Sequence, residues 1–142
     1  MYNKILVPLE NTKTDKAILA HIRELANLTK AHLILIHVAD GWAARNYNNL
    51  NLAESDEIKA DRNYLETQAA ALISEGFSAE SILRMGDPVN EIVKAANENK
   101  VNLIAMATHG HKLISDIIYG NTADKVRHNV KIPVLMVPGK KK

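Results

Sequence analysis

The 142-residue sequence contains no cysteine. That excludes disulfides, thiol nucleophiles and zinc–thiolate centres. Net charge is nearly missing as well, since 18 Lys and Arg against 16 Asp and Glu leave +2. The terminal run Lys140-Lys141-Lys142 exceeds that surplus by itself and reads as a solvated tail. Charge balance therefore gives no argument for a nucleic acid or a membrane surface as partner. No apolar run approaches the ~20 residues that span a bilayer. The start, Met1-Tyr2-Asn3-Lys4 passing straight into Ile5-Leu6-Val7, has no signal-peptide cleavage region. A soluble, cytoplasmic protein is expected.

Catalytic signatures are scarce too. Neither a Walker A loop nor a GxGxxG fingerprint occurs. No Ser–His–Asp order stands out, and no carboxylate cluster suggests two-metal chemistry. His109 and His111 alternate on one stretch and could present two imidazoles to an ion, but no third ligand follows, so no metal site is assigned. His21, His32, His37 and His128 sit in helix or strand patterns and read as structural or exposed. No catalytic residue is assigned, and the reading leans against an enzyme.

What is present is a regular alternation of apolar runs and helical patterns. With 46% hydrophobic and 24% charged residues, the chain has the composition of one globular domain spanning residues 1–142. Ile5 to Leu9, His32 to Val38, Phe77 to Arg84, Leu103 to Ala107 and Ile132 to Val137 read as strands, the third more polar and nearer an edge. Helical spacing begins near Asp15, with Ala17, Ile18, His21, Leu25 and Leu28 on one face. A second helix is expected from about Leu52 to Glu75, with Ile58, Leu65, Ala69, Leu72 and Ile73 inward. Gly86-Asp87-Pro88 should start a third, whose inner face is Val89, Ile92, Val93 and Ala96. Asp40 to Asn51 has no period and reads as a long loop or flap. The order predicts an α/β protein, an open and mostly parallel five-stranded sheet with helices on both faces.

The stretch Val101 to Val130 concentrates the functional signal. A buried strand breaks at Thr108-His109-Gly110, and a second break with a new helix is expected at Gly120-Asn121-Thr122. Two glycine turns, one of them at a helix N-terminus, would suit a phosphate group. Asn121 with Asp124 three residues on also resembles a capping box, which would satisfy the helix start without a ligand. Glu10, at the end of the first strand, could accept hydrogen bonds from a base amino group or a ribose hydroxyl, or sit solvated beside the next helix start.

Taken together, ILVPLENT, LILIHVAD, MGDP, LIAMATHGH, GNTADKV and IPVLMVP resemble the universal stress protein family over almost the whole chain. The resemblance implies a Rossmann-like sheet of the adenine nucleotide alpha hydrolase-like type, in the order 3-2-1-4-5. It also implies a homodimer through the last strand, Pro133 to Val137, and an unidentified regulatory partner protein. Members that bind ATP carry glycine, two residues, glycine, nine residues, glycine, then serine or threonine. Matched here, that pattern falls on Ala107, Gly110, Gly120 and Asn121, so two positions agree and two depart. Glu10 stands where such members usually have aspartate. The resemblance thus implies ATP or AMP, with Mg2+, held by Pro8, Leu9, Glu10 and Val38 at the base and ribose. Met106 and Ala107 would also contact it, and His109, Gly110, Gly120, Asn121 and Thr122 would meet the phosphates. A dimeric interaction protein of the same fold that binds no nucleotide is the alternative.

Overall fold

The computed structural model describes residues 1–39, 56–108 and 114–139, with only the backbone over 114–121. The expected loop Asp40 to Asn51, the helix start near Leu52 and the lysine tail lie outside the described residues. Five strands pair side by side: β1 (Lys4–Pro8), β2 (His32–Ala39), β3 (Ser78–Met85), β4 (Leu103–Thr108) and β5 (Val134–Pro138). The helices are α1 (Asp15–Thr29), α2 (Asp56–Ser74), α3 (Pro88–Asn99) and α4 (Ile114–Asn129). The sheet order is β3-β2-β1-β4-β5, and each of its four pairings is parallel.

The inner strands are buried on both faces, which is why they read as unbroken apolar runs. Ile5, Val7, Leu33 and Leu35 point to one face, covered by Ile18 and Ile22 of α1 and by Leu65 and Leu72 of α2. Leu6, Ile34, Ile36 and Ile104 point to the other, covered by Ile92 and Ala96 of α3 and by Val126 of α4. Each such side chain contributes about 1.5–3 kcal/mol by leaving water. The more polar β3 lies at one edge, as its composition requires, and β5 lies at the other. Among the described residues no helix is long and apolar enough to cross a membrane.

Three expectations are corrected. The buried stripe of α1 is Asp15, Ile18, Leu19, Ile22 and Ala26, while Leu28 is 84% exposed and His21 is exposed. The apolar residues of this helix cover more than one face, so Asp15 fixes its rotation where hydrophobicity alone does not. In α2 the stripe is Ile58, Asp61, Leu65, Ala69 and Leu72, and Ile73 turns half outward. The third correction concerns Gly120-Asn121-Thr122, where no helix begins. Helix α4 runs from Ile114 through Gly120 without interruption. A single glycine inside a helix costs only about 1 kcal/mol against alanine, too little to end one flanked by good helical spacing. Asn121 is therefore an interior residue and not an N-cap.

The start of α3 matches its expected chemistry. Asp87 is the N-cap and accepts from the Asn90 N–H at 2.9 Å, with Pro88 in the first turn. Gly86, at φ +139°, makes the preceding turn in a conformation that side chains resist.

Candidate functional site

The central strand β1 has β2 on one side and β4 on the other, so the chain order reverses there. Connections leaving β1 and β4 depart to opposite faces and leave a crevice at the carboxyl ends of the strands. A cavity of about 610 Å³ opens at that place, within the roughly 300–1,000 Å³ of small-molecule sites. Leu9, just after β1, Val38 of β2 and Met106 of β4 give it apolar walls. Glu10 and Asn11 follow β1 along its rim, Glu57 and Asp61 reach it from α2, and Ile92 closes it from α3.

Of the residues singled out in the sequence, Pro8, Leu9, Glu10 and Val38 line this cavity together, as do Met106, Ala107 and Thr122. Ala107 is buried and lines the wall. Gly120 and Asn121 lie on the α4 backbone beside Thr122. His109 and Gly110 lie outside the described residues.

The turn after β1 is held from behind by α1. Asp15, 2% exposed, stands in the first turn of that helix, where a negative charge is favoured. Its carboxylate accepts from the Glu10 N–H at 3.0 Å and the Asn11 N–H at 2.8 Å, and from the Tyr64 hydroxyl at 2.6 Å. Asn11 occupies the left-handed region at φ 62°, a conformation asparagine tolerates better than most residues. The Glu10 carboxylate accepts from the Thr14 hydroxyl at 3.3 Å.

Burial, and then the hydrogen bond to the Asp15 carboxylate, push the Tyr64 phenol well above its ordinary value. The sign follows directly. The folded state holds this proton more tightly than the unfolded chain, so the stability it confers is intact below about pH 10 and falls as pH rises beyond it. Tyr64→Phe should flatten the loss of stability above about pH 10 in denaturant titrations, and an unchanged alkaline slope would contradict this account.

Two contributors were not recognised from the sequence. His37 reads as structural or exposed there, yet it lines the cavity and is largely buried. Its Nδ1 lies 2.8 Å from the Leu9 carbonyl oxygen and its Nε2 3.3 Å from Asp61 Oδ2. The Asp61 carboxylate also accepts from the Asn11 side-chain amide at 3.0 Å. A signal for Asp61 exists in its spacing, three residues after Ile58 and four before Leu65, which sets a carboxylate on the buried stripe of a helix. His37 closes a strand that ends at the crevice, and that position was its signal. Among the described residues no cluster of three or more His, Asp or Glu side chains could hold a metal ion.

Comparison with known proteins gives one consistent answer. The model of the Universal stress protein family matches residues 1–138. Universal stress protein MJ0577 of Methanocaldococcus jannaschii is 30% identical, over 99% of this chain and 97% of its own length. The solved structure of MJ0577 superposes with a TM-score of 0.83, covering 100% of this chain and 99% of that one. A universal stress protein from Archaeoglobus fulgidus in complex with dAMP superposes with a TM-score of 0.70 at 19% identity, over 96% of this chain and 98% of that one. Another universal stress protein, in complex with cAMP, superposes with a TM-score of 0.76 at 18% identity, over 98% and 99% of the two chains.

Proposed function

We propose, from the premise that this chain belongs to the universal stress protein family, that its cavity binds an adenine nucleotide and that the protein is a stress-responsive regulator rather than a fast enzyme. The observation that carries this reading is the convergence of Leu9, Glu10, Val38 and Met106 on one cavity of about 610 Å³ at the strand-order reversal. Apolar walls suit a planar base, and a carboxylate at the rim suits a ribose hydroxyl or an amino group. Fold relatives in complex with dAMP and cAMP support the choice of an adenine nucleotide.

ATP or AMP would place its base and ribose against Pro8, Leu9, Glu10 and Val38, above Met106 and Ala107. Its phosphates would run toward His109, Gly110, Gly120, Asn121 and Thr122, with Mg2+ accompanying ATP. The dimer would form through Pro133 to Val137. That strand, β5, is paired on one side by β4, and Val134, Leu135 and Met136 on it are only half-buried. A soluble, cytoplasmic location fits the absence of cysteine.

Native mass spectrometry of the purified protein reads ligand and assembly together. The expected spectrum shows a dimer carrying an adenine nucleotide. Added AMP or ATP should raise the melting temperature, since a ligand at about 100 times its Kd stabilises the native state by roughly 2.7 kcal/mol. No retained nucleotide and no shift at millimolar concentrations would remove the reading. The second reading, a dimeric interaction protein of the same fold without nucleotide, is favoured by two observations. Alanine, not glycine, stands at position 107 on the cavity wall, and α4 passes through Gly120 as regular helix.

A further inference from the structure

The pairing of His37 with Asp61 has a requirement that ordinary hydrogen-bond accounting exposes. The Leu9 carbonyl only accepts, so His37 Nδ1, at 2.8 Å, must carry a hydrogen. A hydrogen then lies between Nε2 and Asp61 Oδ2, 3.3 Å apart, only if the ring is doubly protonated and donates or the carboxyl group is protonated and donates to Nε2. Without that proton, a nitrogen lone pair faces a carboxylate oxygen in a largely buried place. One proton shared between the two side chains would remove that conflict.

The other oxygen of Asp61 holds Asn11, accepting from its side-chain amide at 3.0 Å. Asn11 in turn carries the left-handed backbone of the turn that presents Glu10 to the cavity. Such a conformation persists when surrounding bonds over-determine it. We propose that His37 and Asp61 are a proton-dependent positioning pair for the Glu10–Asn11 turn, so that nucleotide affinity follows the shared proton. This rests on the nucleotide reading above.

The described groups around the pair are mostly acidic or uncharged. Glu10 from the β1–α1 turn and Glu57 from α2 line the same cavity. Asp15 from α1 and Tyr64 from α2 meet behind the turn. Pro88 and Ile92 of α3, Met106 and Ala107 of β4 and Thr122 of α4 bring no charge to the cavity. The nearby cation of β3, Arg84, is turned to Glu91 and Glu98 on α3. As pH rises and the proton leaves, Asp61 is repelled from Nε2 toward a cavity already bearing two glutamates. Asn11 loses its partner and the turn loosens.

The test compares the wild-type protein with Asp61→Asn. In the variant, the carboxamide donates to neutral Nε2 while its oxygen still accepts from Asn11, so the turn stays held without the shared proton. Nitrogen-15 spectra without ligand, recorded across the pH range in which histidine side chains change charge, should show the Glu10 and Asn11 backbone amides shifting in step with the His37 ring signals. AMP affinity of the wild type should weaken several-fold over that interval, at most about tenfold per pH unit for one linked proton. In Asp61→Asn it should stay flat. Amides that ignore the His37 titration, or a variant with the wild-type pH step, would overturn the pair. If AMP binds at no pH, the nucleotide reading falls, and the amide shifts still decide whether the pair positions the turn.

Discussion

Asp15→Ala is expected to lower the stability of the folded state by roughly 3–5 kcal/mol, more than other single polar substitutions on this framework. The carboxylate satisfies three donors at once, the N–H groups of Glu10 and Asn11 and the hydroxyl of Tyr64. Leaving a buried donor without a partner costs about 1–3 kcal/mol, and these three are part-buried, so each falls toward the lower end of that range. Helix α1 would also lose a favourable first-turn charge. Asp15→Asn separates charge from connectivity. It keeps one acceptor oxygen, so it should cost about half as much and leave one N–H of the turn held. Urea denaturation of the two variants checks the order. Equal and small losses would mean that the turn is held by backbone alone.

That result concerns the most informative point at which sequence reasoning and structure part. The sheet was legible because its strands are buried on both faces and its helices are punctuated by Gly86, Asp87 and Pro88. Its order followed from family resemblance and not from strand periodicity, which says nothing about neighbours. Hydrophobic spacing placed α1 but rotated it wrongly. Leu25 and Leu28 compete with Leu19 and Ile22 for the inner face, and the buried hydrogen bonds of Asp15 decide the contest. Such bonds are long-range facts that a one-dimensional pattern does not contain.

The same limit explains the partial view of the site. Pro8, Leu9, Val38, Met106 and Ala107 were named through the family resemblance, and Glu10 also by its place after the first strand; they line one cavity because the fold gathers strand ends at the crevice. Asn11 and Asp61 stand 50 positions apart, and only the packing of α2 over β2 brings them together. Gly120 misled for the opposite reason, since glycine permits a turn without requiring one. In α4 the helix continues through it, since one interior glycine costs only about 1 kcal/mol.

The cavity itself supplies the decisive contrast between the two functional readings. Val38→Trp should abolish detectable nucleotide binding, weakening affinity by more than roughly 100-fold, which corresponds to about 2.7 kcal/mol. Val38 sits at the carboxyl end of β2, where its side chain meets the cavity on one side and the α3-facing core on the other. An indole there would occupy space opposite Met106 that a base needs. Overpacking costs the fold itself only about 1–3 kcal/mol, less than for a fully buried position because the added atoms enter the cavity. Comparing melting temperature with and without AMP separates the two effects. The variant should unfold at a somewhat lower temperature and no longer respond to ligand. If AMP raised its melting temperature as it does that of the wild type, the nucleotide would have to lie elsewhere, and the cavity at the ends of β1, β2 and β4 would lose its assignment.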